Sequence, residues 1–86
     1  TKENWKALKA QQAKMRKIES AVKKAESRIA ELESEIERID SEFEKPEIAI
    51  NSAKLNELTA LREACQTELS DCYNTWEELS LQMESD

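Results

Sequence analysis

The sequence predicts an all-α fold, an antiparallel two-helix coiled-coil hairpin, from three observations. Apolar residues recur every three or four positions through Met15, Ile18, Val22, Ala25, Ile29, Leu32, Ile36, Ile39 and Phe43, a heptad seam held for four repeats. A second seam of the same spacing runs through Leu55, Leu58, Arg62, Cys65, Leu69, Cys72, Trp76, Leu79 and Met83. Between them stands the only proline, Pro46. A pair of helices has almost no interior, so any activity must lie on its surface or in something attached to it.

The first helix is expected from about residue 5 to 44, roughly 60 Å at 1.5 Å per residue. Ser20, Ser27, Ser34 and Ser41 recur every seven positions and take the outermost heptad slot, where a small polar residue is tolerated without a function. Pro46 lacks an amide hydrogen and disfavours helix for Lys45, so the helix should stop at Glu44 or Lys45. The connection, about residues 45–51, holds Ile48 and Ile50, which are expected to fold inward over the end of the coiled coil. Asn51 should cap the second helix, about residues 52–83, with Ser52 as the rival cap. So short a connection permits only an antiparallel return.

Two registers fit the seams. One sets Ala25 against Trp76, Ile29 against Cys72, Ile36 against Cys65 and Phe43 against Leu58, alternating large with small side chains. The other sets Ile18 against Trp76 and Val22 against Cys72 and crowds one layer, so the first is favoured. Arg62 interrupts the second seam; its stem can lie on apolar surface while the guanidinium reaches Asp40 or Glu63.

Composition narrows the function. The 86 residues make one domain at most, 37% of them charged and 5% aromatic. There is no glycine, which rules out a P-loop or a dinucleotide-binding turn, and no histidine, the commonest general base and metal ligand. The reading is therefore not an enzyme, with no catalytic residue, no metal site and no cofactor within this chain. Cys65 and Cys72 lie about 10.5 Å apart along one helix, too far to bridge, and read as small buried hydrophobes. No apolar run is long enough to span a bilayer and the first residues lack a signal-peptide layout, so no membrane partner and a cytoplasmic location are expected. The chain opens at Thr1 without an initiator Met, and a fragment of a larger protein is expected.

Charge is the informative asymmetry. Residues 1–30 hold nine basic and three acidic groups, a balance of +6, and the rest hold four basic against sixteen acidic, or −12, giving the net −6. The basic strip of the first helix, Lys14, Arg16, Lys17, Lys23, Lys24 and Arg28, is the candidate nucleic-acid-binding face, because each phosphate contact releases counterions. The bland alternative is a solvated face, partly cancelled by Glu77, Glu78 and Glu84 at the same open end. Beyond Trp5 no aromatic is interleaved with the cations.

Three stretches carry a family resemblance: Phe43-Glu44-Lys45-Pro46-Glu47-Ile48-Ala49, Lys54-Leu55-Asn56-Glu57-Leu58 and Tyr73-Asn74-Thr75-Trp76-Glu77-Glu78-Leu79. Over roughly Ile18 to Met83 the chain resembles the C-terminal coiled-coil domain of ABC-F ATPases, including the Uup-type members. The closing Tyr-x-x-Trp-Glu-Glu-Leu is the most specific element. The resemblance implies a parent with two ATP-binding cassettes, using ATP and Mg, acting on the ribosome in translation. For this segment it implies a non-catalytic arm that extends from the second cassette and touches RNA, DNA or ribosomal protein; a monomer is expected because both seams are satisfied within one chain. Asn51 stands where such domains often have an acidic cap, and the second helix is more acidic than in basic relatives. The competing reading is a structural spacer or protein-docking hairpin without nucleic-acid binding. A tRNA-binding arm like that of seryl-tRNA synthetases shares the architecture, but would call for basic residues on both helices, and the second has only Lys54 and Arg62.

Overall fold

The computed structural model describes residues 1–85. It consists of α1 (Lys2–Phe43), a single turn α2 (Pro46–Ala49) and α3 (Ser52–Ser85). The two long helices pack on each other and α2 touches both. Arg28 pairs with Glu68 and Arg62 with Asp40. Numbering thus rises along one helix as it falls along the other, which is the antiparallel hairpin. The molecule is a rod of 73 × 17 × 14 Å.

α1 begins three residues before the expected start because Thr1 caps it, its Oγ1 accepting the Asn4 amide at 3.4 Å. It ends at Phe43, with Glu44 as C-cap. Lys45 is extended (φ −73°, ψ 128°), as the residue before a proline must be. The connection differs from the expected irregular stretch. Pro46, pre-set at a helical φ, opens one turn of helix that closes on Ala49. That turn separates the two isoleucines: Ile48 is buried against the hairpin, while Ile50, at its C-cap, is 89% exposed. Only Ile48 covers the end of the coiled coil. Asn51 then takes the capping role, its Oδ1 accepting the Lys54 amide at 3.1 Å. α3 runs two residues past the expected Met83.

All eighteen seam positions are buried or half-buried. The four outermost serines are exposed. Both cysteines are free, Cys65 buried and Cys72 half-buried. The packed core gathers Ile29, Leu32, Ile39, Ile48, Leu58, Cys65 and Leu69, so it lies toward the closed end, with Ile39 fully enclosed. Phe43 and Trp76 pack against it half-buried. The indole Nε1 of Trp76 is enclosed without a hydrogen-bond partner among the described residues.

Three cross-helix neighbours bear on the register. Arg62 Nε donates to Asp40 Oδ1 at 2.7 Å, Arg28 reaches Glu68, and Ile29 shares a surface hollow with Tyr73 and Trp76. The Asp40–Arg62 and Ile29–Tyr73–Trp76 levels agree with Ile29 facing Cys72 and not with Val22 facing Cys72. Arg28 and Glu68, two long side chains, bridge a level between the two registers. The polar interruption at Arg62 lies half-buried on the seam and turns its guanidinium to Asp40, one of its two expected partners.

Candidate nucleic-acid interface

A long amphipathic helix must place its charged residues where the partner helix is not, and α1 does so with its cations. Lys14, Arg16, Lys17, Lys23, Lys24 and Arg28 are all exposed along it. Residues seven apart nearly eclipse on a helix, about 10.5 Å along the axis. Arg16 and Lys23 therefore form one row, and Lys17 and Lys24 an adjacent one.

Arg28 is held by partners on both helices. Its Nη2 donates to Glu68 Oε1 at 2.8 Å, its Nε to the other oxygen of the same carboxylate, and its Nη1 to Glu31 at 2.9 Å. A bidentate guanidinium–carboxylate pair is the strongest of the surface hydrogen bonds. The Glu68 hydrogen bond, then that of Glu31, raises the Arg28 pKa further, and the reciprocal bond holds the Glu68 carboxyl below its ordinary range. The sequence placed Arg28 in the binding face. The structure makes it first a strut between the helices, its charge already matched by two carboxylates. By contrast, Arg16, Lys17, Lys23 and Lys24 have no ion pair among the described residues.

Three further ion pairs are local to one helix or turn. Arg38 pairs with Glu35, Lys45 with Glu42, and Lys54 with Glu57, each within one helical turn. Hydrogen bonds from Arg38, Lys45 and Arg62 lower the carboxyl pKa values of Glu35, Glu42 and Asp40 respectively. The closed end, where Glu42, Glu44 and Glu47 gather, has Lys45 as its immediate counter-charge.

The basic row also extends further than the six candidates. Lys9 and Lys2 continue the series of Lys23 and Arg16 at the same seven-residue step, and both are exposed. The step itself was readable in the sequence. Both lysines lie in the stretch 1–14, which is exposed throughout. Among the described residues no three or more Cys, Asp or Glu are placed to hold a metal ion, and no helix is long and apolar enough to cross a membrane.

Neither the curated proteins nor the solved structures contain a match to this chain. The family model for the ABC transporter C-terminal domain matches residues 9–81, which takes in the first seam, the second as far as Leu79, the Pro46 turn and the Tyr73–Leu79 stretch. With that match spanning nearly the whole hairpin, the chain belongs to the ABC transporter C-terminal domain family.

Proposed function

We propose that this hairpin is the non-catalytic C-terminal arm of an ABC-F ATPase, of the Uup type or a related translation factor, working in the cytoplasm and contacting nucleic acid or the ribosome while cassettes elsewhere in the parent hydrolyse ATP. The observation that carries the reading is the cluster Arg16, Lys17, Lys23 and Lys24, four exposed cations that form no ion pair among the described residues, in a chain of net −6. Most other cations of the hairpin are neutralised within a turn or across the helix pair. A solvated surface gains nothing from leaving these four together, whereas a polyanion releases counterions at each of them.

The acidic remainder of the hairpin makes association of the isolated domain weak and steeply salt-dependent. Tethering to cassettes already seated near the target supplies the missing local concentration. A spacer or protein-docking hairpin would use the same rod without this face. The discriminating experiment replaces Lys17, Lys23 and Lys24 by Glu and measures association with ribosomes and with branched DNA at low salt, for the domain and for the full protein. Binding is expected to fall in both, with the salt dependence flattening by roughly 0.7 to 0.9 in log–log slope for each phosphate that is no longer neutralised. Unchanged binding in both would leave the spacer or docking role.

A further inference from the structure

The first third of α1 has no counterpart in α3. Residues 1–14 are exposed throughout, and Met15 is the first that the hairpin half-buries. This free end extends about 20 Å beyond the packed seam. It carries Trp5, 61% exposed, and Leu8, 50% exposed, the two large apolar side chains of that stretch. Around them stand Lys2, Lys6 and Lys9, with Glu3 the one acidic residue of the first seventeen. Lys9 Nζ lies over the indole, 5.8 Å from the ring centroid. An aromatic held beside an ammonium group, on a row of cations that runs on to Arg16 and Lys23, places a flat π-surface within the track that phosphates would follow.

We propose that the free end of α1 is a stacking platform for unpaired nucleotides: a base lies on the exposed indole of Trp5 while the adjoining phosphates meet Lys2, Lys6 and Lys9 and continue onto Arg16 and Lys23. The inference rests on the basic-face reading and adds to it a discrimination between unpaired and paired strands. Charge complementarity selects the occupant. Six cations against one carboxylate over residues 1–17 suit a polyanion. An apolar protein groove would accept Trp5 and Leu8 but would have to supply a carboxylate for each flanking lysine. An unpaired strand is favoured over a duplex because only an unstacked base offers its face to the ring, and base–aromatic stacking tolerates any sequence.

The test uses the 86-residue chain at low salt with two probes, a fluorescein-labelled oligouridine strand and the same strand annealed to its oligoadenine complement. Trp5→Ala is expected to weaken the single strand about tenfold, within the range for losing one stacked base, and the duplex by less than twofold. Trp5→Tyr should keep most of the affinity. Trp5 lies outside the packed seam, so the variants should retain the parent's helicity by circular dichroism, which separates a binding defect from a folding one.

The Lys17→Glu, Lys23→Glu, Lys24→Glu triple variant, measured on the same probes, tells the two readings apart. If it weakens both probes while Trp5→Ala binds the single strand as the parent does, the platform is overturned and the basic face stands. If Trp5→Ala alone loses the single strand, the platform stands without the more distant cations. An equal loss of both probes in Trp5→Ala, or no association of the parent chain with either probe, overturns the platform. An oligonucleotide-independent role for Trp5, such as packing on an acidic protein, would show itself as the unchanged single-strand binding of the first case.

Discussion

Replacing Ile39 by Ala is the sharpest test of where this rod gets its cohesion. Ile39 has no exposed surface and lies in the core shared by α1 and α3. The substitution removes three carbons, about 2.4 kcal/mol at roughly 0.8 kcal/mol per buried methylene. A residual void of a few tens of Å³ adds on the order of 1 kcal/mol more. Two helices can close on one another more freely than a many-layered core can, so the total should stay near 3 kcal/mol, toward the lower part of the range for such deletions. For a domain of this size that lowers Tm by about 12 to 24 °C. The measurement is thermal and urea unfolding followed by far-ultraviolet circular dichroism, with Ile50→Ala as the internal reference. Ile50 is 89% exposed, so its truncation should cost less than about 0.5 kcal/mol. If Ile39→Ala destabilises by less than about 1 kcal/mol, or no more than Ile50→Ala, the account of a core centred on the closed half is wrong.

Two further outcomes follow from the ion pairs and the hairpin. The Glu68 carboxyl, held below its ordinary 4.5 by the Arg28 hydrogen bond, should return toward that value in Arg28→Gln, as read by carbon-detected NMR titration. Since the folded-state pKa is the lowered one, this pair's contribution to stability is complete above the unfolded value and is lost as pH falls through the folded one. The variant should lack that acid-limb loss, and a Glu68 titration identical to the parent's would show the pair to be inconsequential in solution. Sedimentation should find a monomer at micromolar concentration, because both seams are satisfied within one chain. A stable dimer with helix continuing straight through Pro46 would refute the hairpin.

The fold was legible because its information is periodic. Eighteen seam positions repeat one spacing, and the burial of each agrees with it. What depended on a single local geometry was less so. Ile48 and Ile50 look equivalent in the sequence, and only the turn nucleated at Pro46 sends one inward and the other to solvent. Arg28 shows the same limit at the candidate site. Its place among the cations is a matter of helical phase, but its neutraliser, Glu68, is forty positions away and comes level with it only once the register is fixed. Lys2 and Lys9 were the reverse case. Their row was visible in the seven-residue step, and their exposure was read from the structure.

The rod also has a mechanical meaning. Thr1 and Ser85 lie toward the open end, while the Pro46 turn caps the other, and the molecule is 73 Å long against 17 Å across. The densest packing and the Arg62–Asp40 strut both lie in the half nearest the turn. That half is braced by side chains of both long helices, whereas residues 1–14 are exposed throughout. A body of these proportions is a lever. Wherever it is held at the open end, a rotation of a few degrees there sweeps the far tip through several ångströms, so a small change at the root becomes a large displacement at the tip with no rearrangement inside the hairpin.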